Sequence, residues 1–284
     1  MVTPERALQR VADRAKPRLA AMLYRALADV RDSVTVEDAE RAVAGMWWTI
    51  DDRLDATTFT KAAMPAEQLE PVAGTLLDLY VDAATVTITY QGLTAPQQAV
   101  ILTRFNVINP WAVQWAQNHA GQLVSGVLDQ SKLAVRQIIT GAMSGKPGAS
   151  APRDTAALIR HTIGLTPRQV TAVGNYRAAL LKAVEEGKSP EWVRRRFGLS
   201  PVRYPGQLKL DRVEEMVRKY SDRQLRWRSM NIARTETLTA AHSGQQAVWE
   251  EMIRTGLLPP TQRKVFMTTP DSRLCAVCAP LNGQ

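Results

Sequence analysis

The chain of 284 residues is 45% hydrophobic, 22% charged and 6% aromatic, a composition that favours one or two folded domains and excludes an intrinsically disordered protein. Its two cysteines exclude a disulfide scaffold, and its net charge of +9 favours phosphate-bearing or acidic partners. No stretch approaches the roughly 20 apolar residues of a membrane span, and charges throughout residues 1–20 exclude a signal peptide, so we expect an intracellular protein with reduced thiols.

Helix signals dominate the first half of the chain. A capping threonine followed by proline predicts a helix over 4–31, in which apolar residues recur at three- and four-residue steps. Pro17 predicts a kink in this helix or its division into two. A second helix is predicted over 37–54. The stretch 66–90 contains many β-branched residues that suit a strand or a helix, and we favour a helix.

Helix signals also dominate the second half, where capping residues and glycines mark the ends. Thr166 and Ser221 each begin a capping-box pattern, so each predicts the start of a helix. The segment 199–209 is predicted to be a loop, and 145–152 is a linker candidate. The predicted helices are bounded by residues 110–143, 154–164, 166–187, 189–198 and 221–256.

The C-terminal residues give the only strand signal that we favour. The run 263–268 alternates enough to be a strand and leads into Cys275 and Cys278. Asn282-Gly283 is a strong hairpin signal, because both residues tolerate the positive φ of a type I′ turn, but no returning strand follows. We therefore predict a mainly α fold, an extended bundle of long helices with a small C-terminal β hairpin bearing C-x-x-C.

This pattern divides the chain into three predicted regions. Residues 1–104 form an N-terminal helical region, residues 105–260 a helical core, and residues 261–284 a small, incomplete β element.

Most of the net charge falls in one segment, residues 188–234, which we call the basic segment. It holds thirteen bases and five acids, so its net charge is +8. Such a segment would attract phosphates or an acidic protein surface, although a solvated helix face would have the same composition. The bases are Lys188, Arg194, Arg195, Arg196, Arg203, Lys209, Arg212, Arg218, Lys219, Arg223, Arg226, Arg228 and Arg234.

The sequence contains no pattern typical of catalysis. His119, His161 and His242 are far apart in sequence and lie inside predicted helices. The neighbours His242 and Ser243 would point about 100° apart on a helix and could not act together as base and nucleophile. No phosphate loop, paired histidine ligands or nucleophile elbow is present. We therefore expect that the protein is not an enzyme.

The two cysteines have the spacing of half a zinc knuckle. A closed structural zinc site needs four ligands, and the only other candidates, the histidines, are distant. Either the remaining ligands come from residues absent here or from another chain, or the thiols belong only to a small hairpin. We expect no cofactor, with zinc at Cys275 and Cys278 only if further ligands are supplied.

Aromatic and basic residues alternate within and around the basic segment, a pattern that suits base stacking with phosphate contact. They form no recognisable reader motif, and tryptophans at helical spacing also suit a core. Non-specific DNA contact is therefore one alternative. The residues are Trp192, Arg194, Arg195, Arg196, Tyr204, Trp227 and Arg228.

The C-terminal half resembles the phage Mu F-like family of minor head, or head-morphogenesis, proteins. The similarity covers roughly residues 105–284 and includes the long helix that begins "NPWAVQWAQNH". It depends on an "ARTE" helix with a downstream glycine, followed by a strand and a D-x-R-x-C-x-x-C-x-x-L-x-G motif. The matching residues are Ala233, Arg234, Thr235, Glu236, Gly244, Asp271, Arg273, Cys275, Cys278, Leu281 and Gly283.

The resemblance implies a structural protein made in the host cytoplasm and placed in the virion, inside the capsid near the portal vertex. It implies a role in procapsid assembly, in DNA packaging or ejection, or in both. The implied partners are the portal protein, with major capsid or scaffolding protein and packaged DNA as further candidates, and no membrane. The alternative is a non-specific DNA-binding accessory or ejected protein that uses the basic segment.

The chain departs from the family pattern at its end. Family members usually continue into a Pro-rich segment with an H-P-x-C-R-like motif, whose His and Cys would complete the C-x-x-C constellation. The simplest expectation is a lost C-terminal part; the alternative is a naturally short version whose thiols have no role.

The resemblance and the charge pattern give the candidate site. We predict phosphate or portal contact mainly at the three consecutive arginines 194–196. Arg234 and Glu236, two residues apart on one helix, are predicted to link that helix to separate neighbours. The full predicted contact set is Arg194, Arg195, Arg196, Arg203, Lys209, Arg226 and Arg228.

Overall fold

The computed structural model describes residues 3–35, 39–40, 66–103, 105, 110–143, 152–199, 208–263, 265 and 275–283. These residues form eight α-helices and one short 3-10 helix, and they include no strand, so the prediction of a mainly α fold is confirmed. The α-helices are α1 (Pro4–Ser33), α2 (Ala66–Tyr90), α3 (Ala95–Leu102), α4 (Pro110–Met143), α5 (Pro152–Thr162), α6 (Pro167–Glu185), α7 (Glu191–Arg196) and α8 (Leu210–Arg254).

Helix α1 begins as the sequence predicts, because the side chain of Thr3 accepts a hydrogen bond from the N–H of Arg6. Pro17 lies within one continuous helix, so of the two predicted alternatives the division into two helices is wrong, and the kink stays a prediction. The buried residues of α1 recur at helical spacing and include Leu19, Leu23 and Leu27. The predicted helix over 37–54 lies outside the described residues, apart from 39–40.

Helix α2 confirms the choice of helix for the β-branched stretch. Its threonine hydroxyls donate back to carbonyls four residues earlier, as from Thr75 to Pro71 and from Thr87 to Ala83. Leu69–Tyr90 is long and apolar enough to cross a membrane by length and composition, so the prediction that no stretch approaches a membrane span is wrong. Over half of it is buried in the fold, and the core helix of a soluble protein has the same composition.

The connection between α5 and α6 depends on a glycine and a capping box. Gly164 has φ of +83°, a backbone conformation that other residues rarely adopt. Thr166 then caps α6, and the side chain of Gln169 accepts from the N–H of Thr166 at 3.1 Å, as the predicted capping box requires. These two features end α5 and start α6 within a few residues.

Helix α8 corrects the prediction that a helix starts at Ser221. The helix begins eleven residues earlier, at Leu210, and continues for 45 residues. Ser221 is buried inside it, and its hydroxyl donates to the carbonyl oxygen of His161 on α5. The capping-box pattern therefore reflects a tertiary hydrogen bond between two helices and not a helix end.

Helices α1, α2 and α8 pack against one another along much of their length, and α4 packs against α2. Leu19, Leu23 and Leu76 join Ala233 and Ala240 in one buried cluster. A larger cluster combines Leu27 and Val30 of α1 with residues of α4, α5, α6 and α8. Hydrophobic contacts thus join helices of the predicted region 1–104 to helices of the predicted region 105–260.

The described C-terminal residues do not support the predicted β hairpin. Cys278 donates its N–H to the carbonyl of Cys275 at 3.1 Å, and a 3-10 helix follows over Ala279–Leu281. Asn282 has φ of −62°, so it lacks the positive φ that the type I′ turn of the predicted hairpin requires, whereas Gly283 has φ of +81°.

Candidate functional site

The exposed part of the basic segment centres on the junction of α7 and α8. Arg195 and Arg196 are exposed on α7, and neither forms an ion pair with a described residue. Arg223 of α8 donates to the carbonyl of Gly198 at 3.3 Å, which places a third exposed arginine beside the end of α7. We call Arg195, Arg196 and Arg223 the basic surface.

Other predicted contact residues lie near this surface or outside the described residues. Arg194 is half-buried on α7, and Lys209 is exposed just before α8 begins. Arg203 lies outside the described residues, as do Asp271 and Arg273 of the C-terminal motif.

Several bases of the segment are already paired with acids. Lys188 pairs with Glu186 at 2.7 Å. Arg212 and Lys219 both pair with Glu215, at 2.7 and 2.6 Å. These exposed pairs contribute little to stability, but they reduce the positive charge available to a partner.

Arg226 belongs to a hydrogen-bonded network between α1 and α8. Its Nε donates to Asp222 at 3.1 Å, and its guanidinium lies over the ring of Tyr24 at 4.6 Å. Asp222 also accepts from the Tyr24 hydroxyl at 2.7 Å and from buried Arg31 at 3.3 Å. Burial raises the pKa of Asp222, but these three hydrogen bonds outweigh it and hold the pKa below the ordinary value.

Arg228 does not lie on the surface where the sequence analysis placed it. Its side chain points into the fold and is only 4% exposed. Its Nη1 donates to the carbonyl of Gly164, and its Nη2 donates to the amide oxygen of Gln130 at 2.8 Å. Burial lowers the pKa of Arg228 to about 10, so it remains charged at neutral pH. The spacing of charges along the sequence could not distinguish this buried arginine from its exposed neighbours.

Glu236 of the "ARTE" motif links α8 to α4. Its carboxylate contacts Nε2 of His119, and both side chains are largely buried. The His119 ring stacks on Trp115 with a centroid distance of 5.0 Å, and Trp115 contacts the ring of Tyr80 on α2 at 5.1 Å. The sequence analysis did not identify His119 or Trp115 as partners, because 117 residues separate His119 from Glu236.

The other two polar motif residues have different surroundings. Arg234 is exposed, and its charge helps to hold the pKa of Asp13 on α1 below the ordinary value, after the hydrogen bonds that Asp13 accepts from Lys16 and Gln9. Thr235 donates to the carbonyl of Asn231 within α8 at 3.2 Å. Arg234 thus faces α1 while Glu236 contacts α4.

Gly244, the glycine downstream of "ARTE", lies where the backbone of α8 contacts the backbone of α2. A Cβ atom on Gly244 would overlap the carbonyl oxygen of Tyr80 and lie 3.0 Å from its carbonyl carbon. Only glycine fits here, because the obstacle is backbone and cannot rotate away. Glu236 and Gly244 therefore both act at helix crossings.

Two of the described histidines have different surroundings, and one of them lines an open cleft. His161 contacts Glu214 at 3.2 Å, and Glu214 also pairs with buried Arg177. His242 lines an open cleft of about 930 Å³ but has no hydrogen-bond partner among the described residues.

Cys275 and Cys278 are free thiols in one tight turn. The N–H of Cys278 donates to Sγ of Cys275 at 3.3 Å. Hydrogen bonding from Cys278 lowers the pKa of the Cys275 thiol and raises the pKa of the Cys278 thiol. Within the described residues, no group of three or more His, Cys, Asp or Glu side chains could hold a metal ion. The turn therefore offers at most two metal ligands from the described chain.

Comparison of the chain with models of protein families, with curated proteins and with solved structures gives no match.

Proposed function

We propose that the chain is a minor capsid, or head-morphogenesis, protein of a phage. In this proposal it lies inside the capsid at the portal vertex, contacts the portal protein, and acts in procapsid assembly and in DNA packaging or ejection. Major capsid protein, scaffolding protein and packaged DNA are further partners in the proposal. It has no catalytic activity and needs no cofactor.

One observation supports this proposal most directly. Two of the residues that carry the resemblance, Glu236 and Gly244, lie at contacts between long helices. Glu236 joins α8 to α4, and Gly244 allows the backbones of α8 and α2 to touch. Residues with such roles suit a structural protein whose long helices form a packing surface.

The basic surface supports a second candidate, a DNA-binding accessory protein. Arg195, Arg196 and Arg223 are exposed together and could contact phosphates. The same charges could also contact an acidic face of the portal. The two candidate functions therefore differ in the partner that is bound and in how strongly its binding depends on salt.

Co-purification with the portal ring of its own virus tests the proposal. We expect the chain to stay bound through a high-salt wash, because a packed, largely apolar interface is insensitive to screening. Loss of the portal in high salt, with DNA bound only at low salt, would contradict the portal role and favour the DNA-binding alternative.

Charge reversal tests the basic surface. The double substitution Arg195→Glu and Arg196→Glu should weaken DNA or portal association, since it reverses two exposed charges. The substitutions Arg6→Glu and Arg10→Glu on α1 are the control, because these exposed arginines give the same change in net charge outside the basic segment. Equal effects of the two pairs would show that only net charge matters.

A further inference from the structure

A groove of about 420 Å³ lies between α4 and α8 and has no role in the function proposed above. Side chains bridge the two helices at His119–Glu236 and at Gln130–Arg228. Between these bridges the walls come from α4 and α8, and the start of α6 closes one side. We call this the α4–α8 groove.

Arg228 lines this groove as a buried cation that lacks a carboxylate partner. Its hydrogen bonds go to two neutral oxygens, those of Gly164 and Gln130, and it forms no ion pair with any described residue. A buried charge is unfavourable unless an opposite charge compensates it. The other buried arginines, Arg31 and Arg177, each have a carboxylate partner, so Arg228 is the exception in the described part of the chain.

The groove is also open and has an apolar rim. Gly126 of α4 lines it, and no atom lies within 4 Å of the position that a Cβ would occupy there. Trp227 lies at its edge with 63% of its surface exposed, so an apolar side chain of a partner can pack on it. Gln122 and Asn231 add amide groups that can bond to a peptide backbone.

We propose that the α4–α8 groove binds an acidic segment of a partner protein, with one carboxylate of the segment paired with Arg228 and a neighbouring apolar side chain packed on Trp227. A carboxylate on a side chain can reach a guanidinium that is recessed between two helices. The phosphates of duplex DNA cannot, because the width of the duplex keeps them outside. This inference concerns the groove alone and does not depend on the proposed portal role.

Fluorescence anisotropy with a labelled peptide of alternating glutamate and leucine residues tests the inference. A peptide with glutamine in place of glutamate serves as the uncharged comparison, and a labelled single-stranded DNA oligonucleotide serves as the phosphate probe. We expect the full chain to bind the glutamate peptide and to bind the glutamine peptide roughly tenfold or more weakly, because only a carboxylate compensates Arg228.

Two variants remove the site by different means. Arg228→Met removes the buried charge, and Gly126→Leu fills the groove while leaving Arg228 in place. Each should weaken binding of the glutamate peptide roughly tenfold or more. Gly121→Leu is the matched control, because Gly121 is exposed on the same helix, no atom lies within 4 Å of the position that a Cβ would occupy there, and Gly121 does not line the groove. Circular dichroism and thermal unfolding check that each variant folds.

Three results would overturn the inference. The first is no binding of the glutamate peptide by the unaltered chain, or equal binding of the glutamine peptide. The second is peptide binding that folded Gly126→Leu leaves unchanged. The third is binding of the oligonucleotide that Gly126→Leu abolishes, which would assign the groove to a nucleic acid.

Discussion

The absence of a Cβ atom at Gly244 allows the long helices α8 and α2 to approach each other closely. The missing side chain lets the backbone of α8 contact the carbonyl of Tyr80 on α2. The resemblance identified Gly244 as a motif residue, but the sequence did not indicate the backbone that it meets. A glycine inside a helix is normally unfavourable by about 1 kcal/mol relative to alanine, but at Gly244 there is a packing reason for it. The crossing of α2 and α8 supplies that reason.

We predict that Gly244→Ala destabilises the protein although alanine favours the helix. The new methyl group would overlap a carbonyl oxygen, and separating the two helices would cost about 2 kcal/mol in the free energy of unfolding. Urea denaturation followed by circular dichroism measures the change.

Gly74→Ala on α2 is the control for this prediction. Nothing lies within 4 Å of a Cβ at Gly74, so the substitution should stabilise the protein by up to about 1 kcal/mol. If Gly244→Ala stabilises the protein as Gly74→Ala does, this result would contradict the close backbone contact between α8 and α2 at Gly244.

Buried polar links between helices explain why element boundaries were only partly predictable. The local signals at Thr3 and Thr166 gave correct helix starts, because each cap is satisfied by residues three positions away. Ser221 shows the same local pattern, but its hydroxyl bonds to His161 on α5, so α8 continues through it. A sequence pattern cannot distinguish these cases when the partner lies 60 residues away.

Glu214 joins α8 to α5 and α6, and we predict that its contribution to the stability of the fold depends on pH. Its carboxylate contacts His161 at 3.2 Å and accepts from Arg177 at 2.9 Å. The hydrogen bond from His161 and the charge of Arg177 outweigh burial and hold the pKa of Glu214 below its ordinary value of 4.5. A carboxylate whose pKa is lower in the folded protein stabilises the fold at pH values above 4.5. This stabilisation is lost as the pH falls through the folded-state pKa.

Glu214→Gln should therefore destabilise the protein at neutral pH by about 1 kcal/mol, a value discounted for the partial exposure of Glu214. The difference from the unaltered chain should shrink as the pH falls below 4.5. Urea denaturation across this pH range measures it. Glu215→Gln is the control, since Glu215 makes only exposed pairs. A difference between Glu214→Gln and the unaltered chain that does not change with pH would contradict the assignment.

At the scale of the whole molecule, α1 contributes to buried clusters that also contain the C-terminal helices. Leu27 packs in the cluster that includes Tyr176 of α6 and Leu225 of α8. The sequence predicted an apolar stripe on α1 but not which helices would cover it. Periodicity defines the buried face of a helix, whereas the partner of that face depends on contacts across the whole chain.

We predict that Leu27→Ala lowers the stability of the whole helical assembly. Removing a leucine that is 3% exposed should cost about 3 kcal/mol. The loss should appear in the same thermal transition by tryptophan fluorescence and by circular dichroism, because the cluster spans N- and C-terminal helices.

Leu133→Ala is the control, since Leu133 is 52% exposed and its loss should change the stability by less than about 0.5 kcal/mol. Two separate transitions, with only one of them shifted by Leu27→Ala, would instead support independent folding of the N-terminal region.

The sequence alone determined the helical character of the chain, most of its helix starts and the location of its excess positive charge. These properties depend on residues within a turn or two of one another, where spacing and capping chemistry act directly. Tertiary structure alone decided that Arg228 is buried while Arg195 and Arg196 are exposed, and that Glu236 pairs with His119. Burial and long-range pairing depend on which helices meet, because hydrophobic contacts between distant segments select one packing arrangement.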